Sequence, residues 1–308
     1  MNNKQLKLIV IVLGAAVLLY LPRIFRDDGS GGSIDVEDGF RFMLEDAVVT
    51  RIDINEPDNA GTIRLEHGSN GWTVDGYRAD ETKMENLLEV LPNLSSDVLV
   101  ARNPANHTRM GVSESGRRIS VYTDGPGPLE FYLGNRDIRG AGYFVRIPEK
   151  NAVFRLDSPA SGYLNRERDG WRPRTIAAID TAQVHQIVLQ REGTETVLHR
   201  SDSGWTAGEA VADSTALQGI LGLLPNLSLT AFTSEEEAEE ADFSQAQAVI
   251  DVFYATEEAA TEETPALSLL LIEDEEQGDW LVRHTTGYEV YRLATFTVNR
   301  LLPDNLIP

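Results

Sequence analysis

The sequence predicts an α+β fold: two tandem homologous repeats of mainly antiparallel sheet with a capped helix each, preceded by an N-terminal transmembrane helix. Three observations predict it: matched residues at a nearly constant spacing, a strand-rich order of elements, and an apolar run close to Met1. The 308 residues are enough for about two domains, each with its own core.

The internal repeat is clearest around two Gly-Trp pairs. GWTVDGYRADETKMENLLEVLPNLS begins at Gly71, and GWTAGEAVADSTALQGILGLLPNLS begins at Gly204, 133 positions later. The spacing is 135 positions in the preceding hairpin and 137 in the later strands, so small insertions fall between elements. The predicted domains are a membrane anchor (1–28), a flexible linker (29–42), a first repeat (43–175) and a second repeat (176–308).

Within each repeat, hydrophobic spacing separates one helix from several strands. Asp80 and Asp213 each precede apolar residues at i, i+3, i+4 and i+7, and a proline follows, so each Asp is predicted to be a helix N-cap. The strand-like runs are adjacent in sequence, which predicts antiparallel sheets. The apolar residues shared by the repeats are predicted to form the core: Trp72, Trp205, Leu88, Leu221, Leu91 and Leu224.

The N-terminal segment is typical of an uncleaved membrane anchor. The run from Leu8 to Leu21 is ~21 Å long as a helix, and extension to Phe25 allows it to span a ~30 Å hydrocarbon layer. A cleaved signal peptide is the alternative, but no small-residue cleavage site follows the run. We therefore expect a single-pass protein of the inner (cytoplasmic) membrane, inserted through residues 8–25, with its C-terminal body outside the cytoplasm.

The charge balance excludes several classes of partner and chemistry. The chain has 27 Lys and Arg against 49 Asp and Glu, a formal charge of −22, which disfavours nucleic acid and anionic membrane surfaces. There is no cysteine, which excludes disulfides, thiolate metal sites and thiol catalysis.

The acidity is concentrated in the second repeat, where residues 176–308 contain 24 acidic and 5 basic residues. Three clusters carry much of it: Glu235 to Glu240, Glu257 to Glu263 and Glu273 to Glu276. We interpret them as solvated loops, because like charges repel. The alternatives are a recruiting surface for a basic partner and weak calcium binding, although none of the clusters has the ligand spacing of an EF-hand.

Few residues are candidates for a functional site. Two pairs of arginines recur in equivalent strands and are candidate partner or ligand contacts, or else they pair with local carboxylates: Arg146, Arg283, Arg155 and Arg292. The paired tryptophans would either stack on a sugar or peptide or pack on the capped helix. The five histidines are scattered and no nucleophile elbow occurs, so no catalytic, cofactor or metal site is predicted.

These elements together resemble a bacterial family catalogued as domain of unknown function 4340. The resemblance covers about residues 43–305 and rests on the anchor, the V-x-x-I strand, the Gly-Trp pair, the Ala-Asp-capped helix ending in leucines, and the Tyr/Trp-x-V-R and V-x-R-L strands. Members of that family are often encoded beside ABC-type transporter genes of the gliding-motility kind, and the family has no established catalytic residues. The resemblance therefore implies a protein that is accessory to a membrane machine.

We expect a non-catalytic, membrane-anchored accessory or scaffold protein that contacts an ABC-type transporter or envelope complex through sheet edges or the groove between the repeats. The first alternative is an extracytoplasmic ligand-binding module that holds a glycan or peptide in that groove. The second is an envelope hydrolase, which requires His, Ser and carboxylate side chains to meet in one cleft.

Overall fold

The chain forms two units, the first ending at Arg172 and the second beginning at Pro173. The computed structural model describes residues 33–35, 39–44, 47–140, 142–255 and 264–306. The predicted membrane anchor lies outside the described residues, as does the middle acidic cluster. None of the helices in the described part of the chain combines the length and apolar character that a bilayer crossing requires.

Each unit is built on a nine-stranded antiparallel sheet with a few short helices, which confirms the α+β class. The strands of the first unit are β1 (Ser33–Asp35), β2 (Phe40–Met43), β3 (Val49–Asn55), β4 (Thr62–Gly68), β5 (Gly71–Val74), β6 (Tyr77–Arg78), β7 (Asn93–Ser96), β8 (Leu99–Ala101), β9 (Arg118–Thr123), β10 (Leu129–Arg136), β11 (Tyr143–Arg146) and β12 (Val153–Leu156). Its helices are α1 (Glu81–Val90), α2 (His107–Met110) and α3 (Pro159–Leu164).

The second unit repeats this arrangement after a short connection. Its strands are β13 (Thr175–Ala177), β14 (Val184–Arg191), β15 (Thr194–Ser201), β16 (Gly204–Ala207), β17 (Ala210–Val211), β18 (Leu227–Ser228), β19 (Ala231–Phe232), β20 (Ala248–Tyr254), β21 (Leu267–Asp274), β22 (Asp279–His284) and β23 (Val290–Ala294). Its helices are α4 (Ser214–Leu223), α5 (Glu235–Glu240) and α6 (Thr295–Leu301).

The two large sheets have the same strand order. It is β6-β5-β4-β3-β9-β10-β11-β12-β8 in the first unit and β17-β16-β15-β14-β20-β21-β22-β23-β19 in the second. The registers also agree: Phe144 pairs with Arg155, and Leu281 pairs with Arg292, 137 positions later on both strands. Two homologous repeats therefore fit both the sequence and the sheet topology.

One capped helix packs on the inner face of each sheet. The Asp80 side chain accepts a hydrogen bond from the Lys83 backbone N–H, and Asp213 accepts two at the start of α4, which satisfies donors that a helix N-terminus leaves unpaired. Each unit has a separate apolar core beneath its sheet. The first unit adds a small cluster on the opposite, outer face: Met110, Val112, Tyr132 and Val153.

The predicted flexible linker is too long at its C-terminal end. Strand β2 begins at Phe40, and the rings of Phe40 and Phe42 are fully buried against Phe131, at centroid distances of 5.7 and 5.4 Å. The second unit starts in the same way, because β13 pairs with β18 as β2 pairs with β7. Residues 40–42 therefore belong to the folded unit, since alternating phenylalanines bury one strand face.

The interpretation of the first acidic cluster as a loop is also wrong. Glu235–Glu240 forms helix α5, which begins with a capping box: the Ser234 hydroxyl accepts from the Glu237 N–H, and the Glu237 carboxylate accepts from the Ser234 N–H. Three glutamates in its first turn also stabilise the helix, because their negative charges lie at the positive end of the helix dipole. The helix therefore forms despite its like charges.

Candidate functional site

Arg146, at the end of β11, is a buried cation on the outer face of the first sheet. Its side chain is 3% exposed; Nε donates to the Val112 carbonyl at 2.6 Å, Nη1 to the Lys150 carbonyl at 3.1 Å, and Nη2 to Glu114 at 2.8 Å. The guanidinium carbon lies 4.5 Å from the Tyr132 ring centroid. Donors on all three nitrogens are used within the unit, so Arg146 positions the chain around it and is poorly placed to bind a ligand.

Tyr132 and Glu114 complete this cluster. The Tyr132 hydroxyl donates to the second carboxylate oxygen of Glu114. This hydrogen bond, followed by the one from Arg146, lowers the pKa of Glu114, whereas burial and the neighbouring carboxylate raise the pKa of Tyr132. The cluster thus holds Glu114 ionised and Tyr132 protonated, which is the arrangement of a stable hydrogen-bonded ion pair.

Arg292 plays the corresponding part in the second unit, from a different strand. It is 6% exposed and binds three carboxylates: Glu237 through Nη2 at 2.7 Å, and Asp274 and Asp279 through Nη1 at 2.9 and 2.5 Å. Burial lowers the pKa of Arg292, but the hydrogen bonds that Arg292 donates to Glu237 and Asp274, together with the charge of Asp279, outweigh it and the net shift is upward. One cation therefore joins helix α5 to the turn between β21 and β22.

Two of the carboxylates around Arg292, Glu237 and Asp274, have lowered pKa values. The pKa of Glu237 falls from 4.5 to about 2, chiefly because its carboxylate accepts from the Ser234 backbone N–H and then because of Arg292. The pKa of Asp274 is also lowered, by Arg292 first and by the Gln277 backbone N–H second. Both groups are ionised at neutral pH, so the cluster carries an excess of negative charge.

The other two predicted arginines are more weakly held. Arg155, which corresponds to Arg292, is 31% exposed and pairs with Asp137 at 3.4 Å. Arg283, which corresponds to Arg146, lies 4.4 Å over the Phe243 ring. Within each unit the two arginines therefore have different partners, and for Arg146, Arg155 and Arg292 the structure favours pairing with local carboxylates over an anion site.

The arginines hold one variable segment in each unit against the outer sheet face. We call these connecting segments: residues 102–117 between β8 and β9, and residues 233–247 between β19 and β20. Arg146 binds the first segment, whereas Arg292 and Arg283 contact the second. The sheets are alike, but the segments on them differ in sequence and structure.

The tryptophans and leucines shared by the repeats lie at or near the cores. Trp72 and Trp205 are half-buried and pack against the core of their own unit, with Trp72 at 5.3 Å from the His67 ring in an edge contact. Leu91 and Leu224 are fully buried, whereas Leu88 and Leu221 are half-buried at the helix margin. Trp171, which the repeat comparison did not identify, is more deeply buried than either of these tryptophans, with none of its surface exposed.

Four surface clefts in the described ranges are lined mainly by polar groups. They have volumes of about 310 to 440 Å³. The cleft around Ser113 and Ser115 in the first unit also includes Asp58 and Arg117, but its lining contains no histidine. Within the described ranges, no three His, Asp or Glu side chains are grouped in a way that would hold a metal ion.

Comparison with known families matches one described as a domain of unknown function, DUF4340, over residues 72–246. This range covers more than half of the 308 residues. The chain belongs to the DUF4340 family. No curated protein and no solved structure matches it. The DUF4340 match begins at Trp72, includes both capped helices and helix α5, and ends just before β20.

The structure of this DUF4340 chain reveals residues that the sequence-based reasoning missed. Glu237, Asp274 and Asp279 partner Arg292, and Glu114 partners Arg146. Glu114 and Glu237 lie in segments that differ between the repeats, so the repeat comparison could not select them. Asp274 corresponds to Asp137, 137 positions earlier, and each pairs with the equivalent arginine of its own unit. The Ser-x-x-Glu pattern at Ser234 was the one local signal for α5.

Proposed function

We propose that this chain is a non-catalytic, membrane-anchored accessory or scaffold subunit of an ABC-type transporter or envelope complex, with its folded units outside the cytoplasm. The observation that supports it most is the use of the residues common to both units. They cap helices, fill cores and hold connecting segments, which are structural tasks. Two similar sheets that carry different connecting segments are suited to a protein that binds other proteins through its surface.

The proposed location depends on the apolar run at residues 8–25 and the Gly-Ser tether that follows it. An anchor of this kind holds the two units close to the membrane, where a transporter subunit is within reach. The family association with ABC-type transporter genes points to the same partner class.

Affinity purification from detergent-solubilised membranes tests the proposal. A tag after Pro308 would be used on the full chain and on a control that lacks residues 8–21, and bound proteins would be quantified by mass spectrometry. We expect ABC-type transporter subunits to be enriched with the full chain and to fall when the run is removed. Recovery of the chain from membranes without any such subunit would contradict the proposal.

The ligand-binding alternative has less support, because Arg146 and Arg292 already donate hydrogen bonds to groups of their own unit. A thermal-shift screen with glycans and peptides would detect it, since a ligand at 100 times its Kd stabilises by about 2.7 kcal/mol.

A further inference from the structure

The outer faces of the two sheets differ in chemistry at matching positions. In the first unit, five such positions carry polar or aromatic hydroxyl side chains, and in the second unit all five are hydrocarbon. The first set is Asp53, Arg64, Arg118, Tyr122 and Tyr132, and the second, in the same order, is Val188, Val197, Val249, Phe253 and Leu270. We call the second set the outer patch.

In the first unit these positions form a network of polar contacts. Arg64 donates to Asp53 through Nε at 2.9 Å, and Arg51 lies 3.7 Å over the Tyr122 ring. Arg118 lies 3.9 Å from Glu130. The sheet therefore folds with a polar outer face, and the hydrocarbon of the outer patch is not needed to form it.

The outer patch points away from the core of the second unit. Its side chains alternate along their strands with the fully buried Ile187, Leu198, Ile250 and Leu269. All five are half-buried and stand outside the core cluster. A group of adjacent, partly exposed apolar residues on a soluble surface is characteristic of an interaction site.

We propose that the outer patch is the docking surface for an amphipathic helix of a protein partner, with basic residues flanking the apolar side of that helix. The inference rests on the proposed function, because an accessory subunit needs a surface for its partner. The shape of the patch and the charge around it argue for this occupant.

The shape favours a helix over an added strand. The patch lies on β15, β14, β20 and β21, which are interior strands with neighbours on both sides, so their backbone groups are already paired. At ~4.8 Å between strands and ~3.4 Å per residue, the patch measures roughly 14 Å in each direction. A helix with its side chains is about 10–12 Å wide and covers such an area with two to three turns.

The charge favours a basic partner. Residues 176–308 carry 24 acidic and 5 basic residues, and Asp251 lies within the patch between β14 and β21. Helix α5 lies on the same sheet face, held by Arg292, and its Glu236, Glu239 and Glu240 are exposed. An anionic lipid surface and a second copy of this acidic chain would both be repelled.

Site-specific photo-crosslinking in cells tests the inference on the full chain. The photoreactive amino acid would replace Gln190, whose strand neighbour is Val249 of the patch, and crosslinked peptides would be sequenced by mass spectrometry. We expect a partner peptide with apolar residues at helical spacing and flanking Lys or Arg. Crosslinks to lipid, to a second copy, to the chain itself or to peptides without that pattern, or no crosslink, would overturn the inference.

A charge-neutral double variant provides the matched comparison. V188D/V197R recreates the Asp53–Arg64 pair of the first unit at cross-strand neighbours; because position 188 faces Asp251 whereas Asp53 faces Ser120, folding of this variant is verified first. We expect the crosslink yield to fall at least about tenfold, as for a central interface residue. The control V211D/V98R, at two exposed valines outside the patch, should leave the yield unchanged.

A second variant keeps the test independent of that pair. V249R introduces the residue that the first unit carries at Arg118 and should also reduce the yield, with folding of each variant checked by circular dichroism. Undiminished yield in folded V188D/V197R and V249R would overturn the inference. If transporter subunits are still co-purified with these variants, the proposed function stands and the docking surface is wrong. If the crosslinked helix belongs to another class of protein, the docking surface stands and the transporter association is wrong.

Discussion

Arg155 and Arg292 occupy equivalent positions but have different surroundings. Arg292 is buried among three carboxylates, whereas Arg155 is partly exposed beside Asp137. A buried ion pair is costly to break from one side, because the remaining charges stay in a poorly solvated place. Substitution of each residue therefore compares the stability contributed by a buried arginine and by a partly exposed one at equivalent positions of the two repeats.

Arg292→Met should destabilise the second unit by about 2–4 kcal/mol, because two aspartates and Glu237 would then repel one another without a cation. Arg155→Met should cost less than Arg292→Met, because Arg155 is 31% exposed and pairs with one carboxylate, Asp137, at 3.4 Å. Urea unfolding followed by tryptophan fluorescence measures both. If both variants lost the same free energy of unfolding, burial of Arg292 would not be what determines its contribution to stability.

Acid should weaken the second unit through Glu237 and Asp274. Their folded pKa values are depressed, to about 2 for Glu237, so their contribution is complete above the unfolded pKa near 4.5 and is lost as pH falls towards 2. Melting temperature measured from pH 6 to pH 2 should drop mainly below pH 4.5. The drop should be smaller in Arg292→Met, because that variant loses the part of both pKa shifts that Arg292 causes, while the hydrogen bonds from the Ser234 and Gln277 backbone N–H groups remain.

At the scale of elements, the capped helices are the best-defined feature that the sequence predicts. Asp80 and Asp213 each accept backbone hydrogen bonds from the first turn. The signal was local, since the cap, the apolar spacing and the terminating proline all lie within about a dozen residues. Both helices were therefore predictable without knowledge of the fold.

Asp80→Ala and Asp213→Ala should each destabilise their own unit by about 1 kcal/mol, because donors at the helix start lose their partner. Asn at either position should retain most of the stability, since its side-chain oxygen also caps. Thermal unfolding monitored by circular dichroism provides the measurement. If the Asn variants lost as much stability as the Ala variants, the stabilisation would come from the Asp80–Lys83 ion pair or from the charge of Asp213, and not from capping.

Other elements were missed because their places depend on contacts that are distant in sequence or because their local signals are weak. Helix α5 has no apolar spacing, and its place is set by Arg292, 55 residues away. Strand β2 was missed because Phe40 and Phe42 follow a Gly-Ser-rich stretch, although their alternation is a strand signal. The outer patch was also missed, yet the run LSLLLI in β21 is apolar on both strand faces, which was a sign of a second buried or docking face.

At the scale of the whole molecule, each unit contains its own core. The core of the second unit extends from Ile176 to Leu306, and that of the first from Phe40 to Trp171. A closed core of this size is sufficient for independent folding. The two units should therefore behave as separate cooperative structures.

Residues 173–308 expressed alone should give a cooperative urea transition and the circular dichroism of an antiparallel sheet. Residues 39–172 should do the same, whereas a fragment that begins at residue 47 should be less stable, since it lacks Phe40 and Phe42. A non-cooperative transition in both isolated units would contradict the two-unit description.

Both large sheets end in very short strands. The edge strands β6, β17 and β19 have two residues each, and β8 has three. Few backbone N–H and C=O groups are therefore left to recruit a foreign strand, which is how natural sheets avoid pairing edge to edge with their neighbours. The proposed anchor would concentrate copies at a membrane surface, where short edge strands would protect them from aggregating into continuous β-structure.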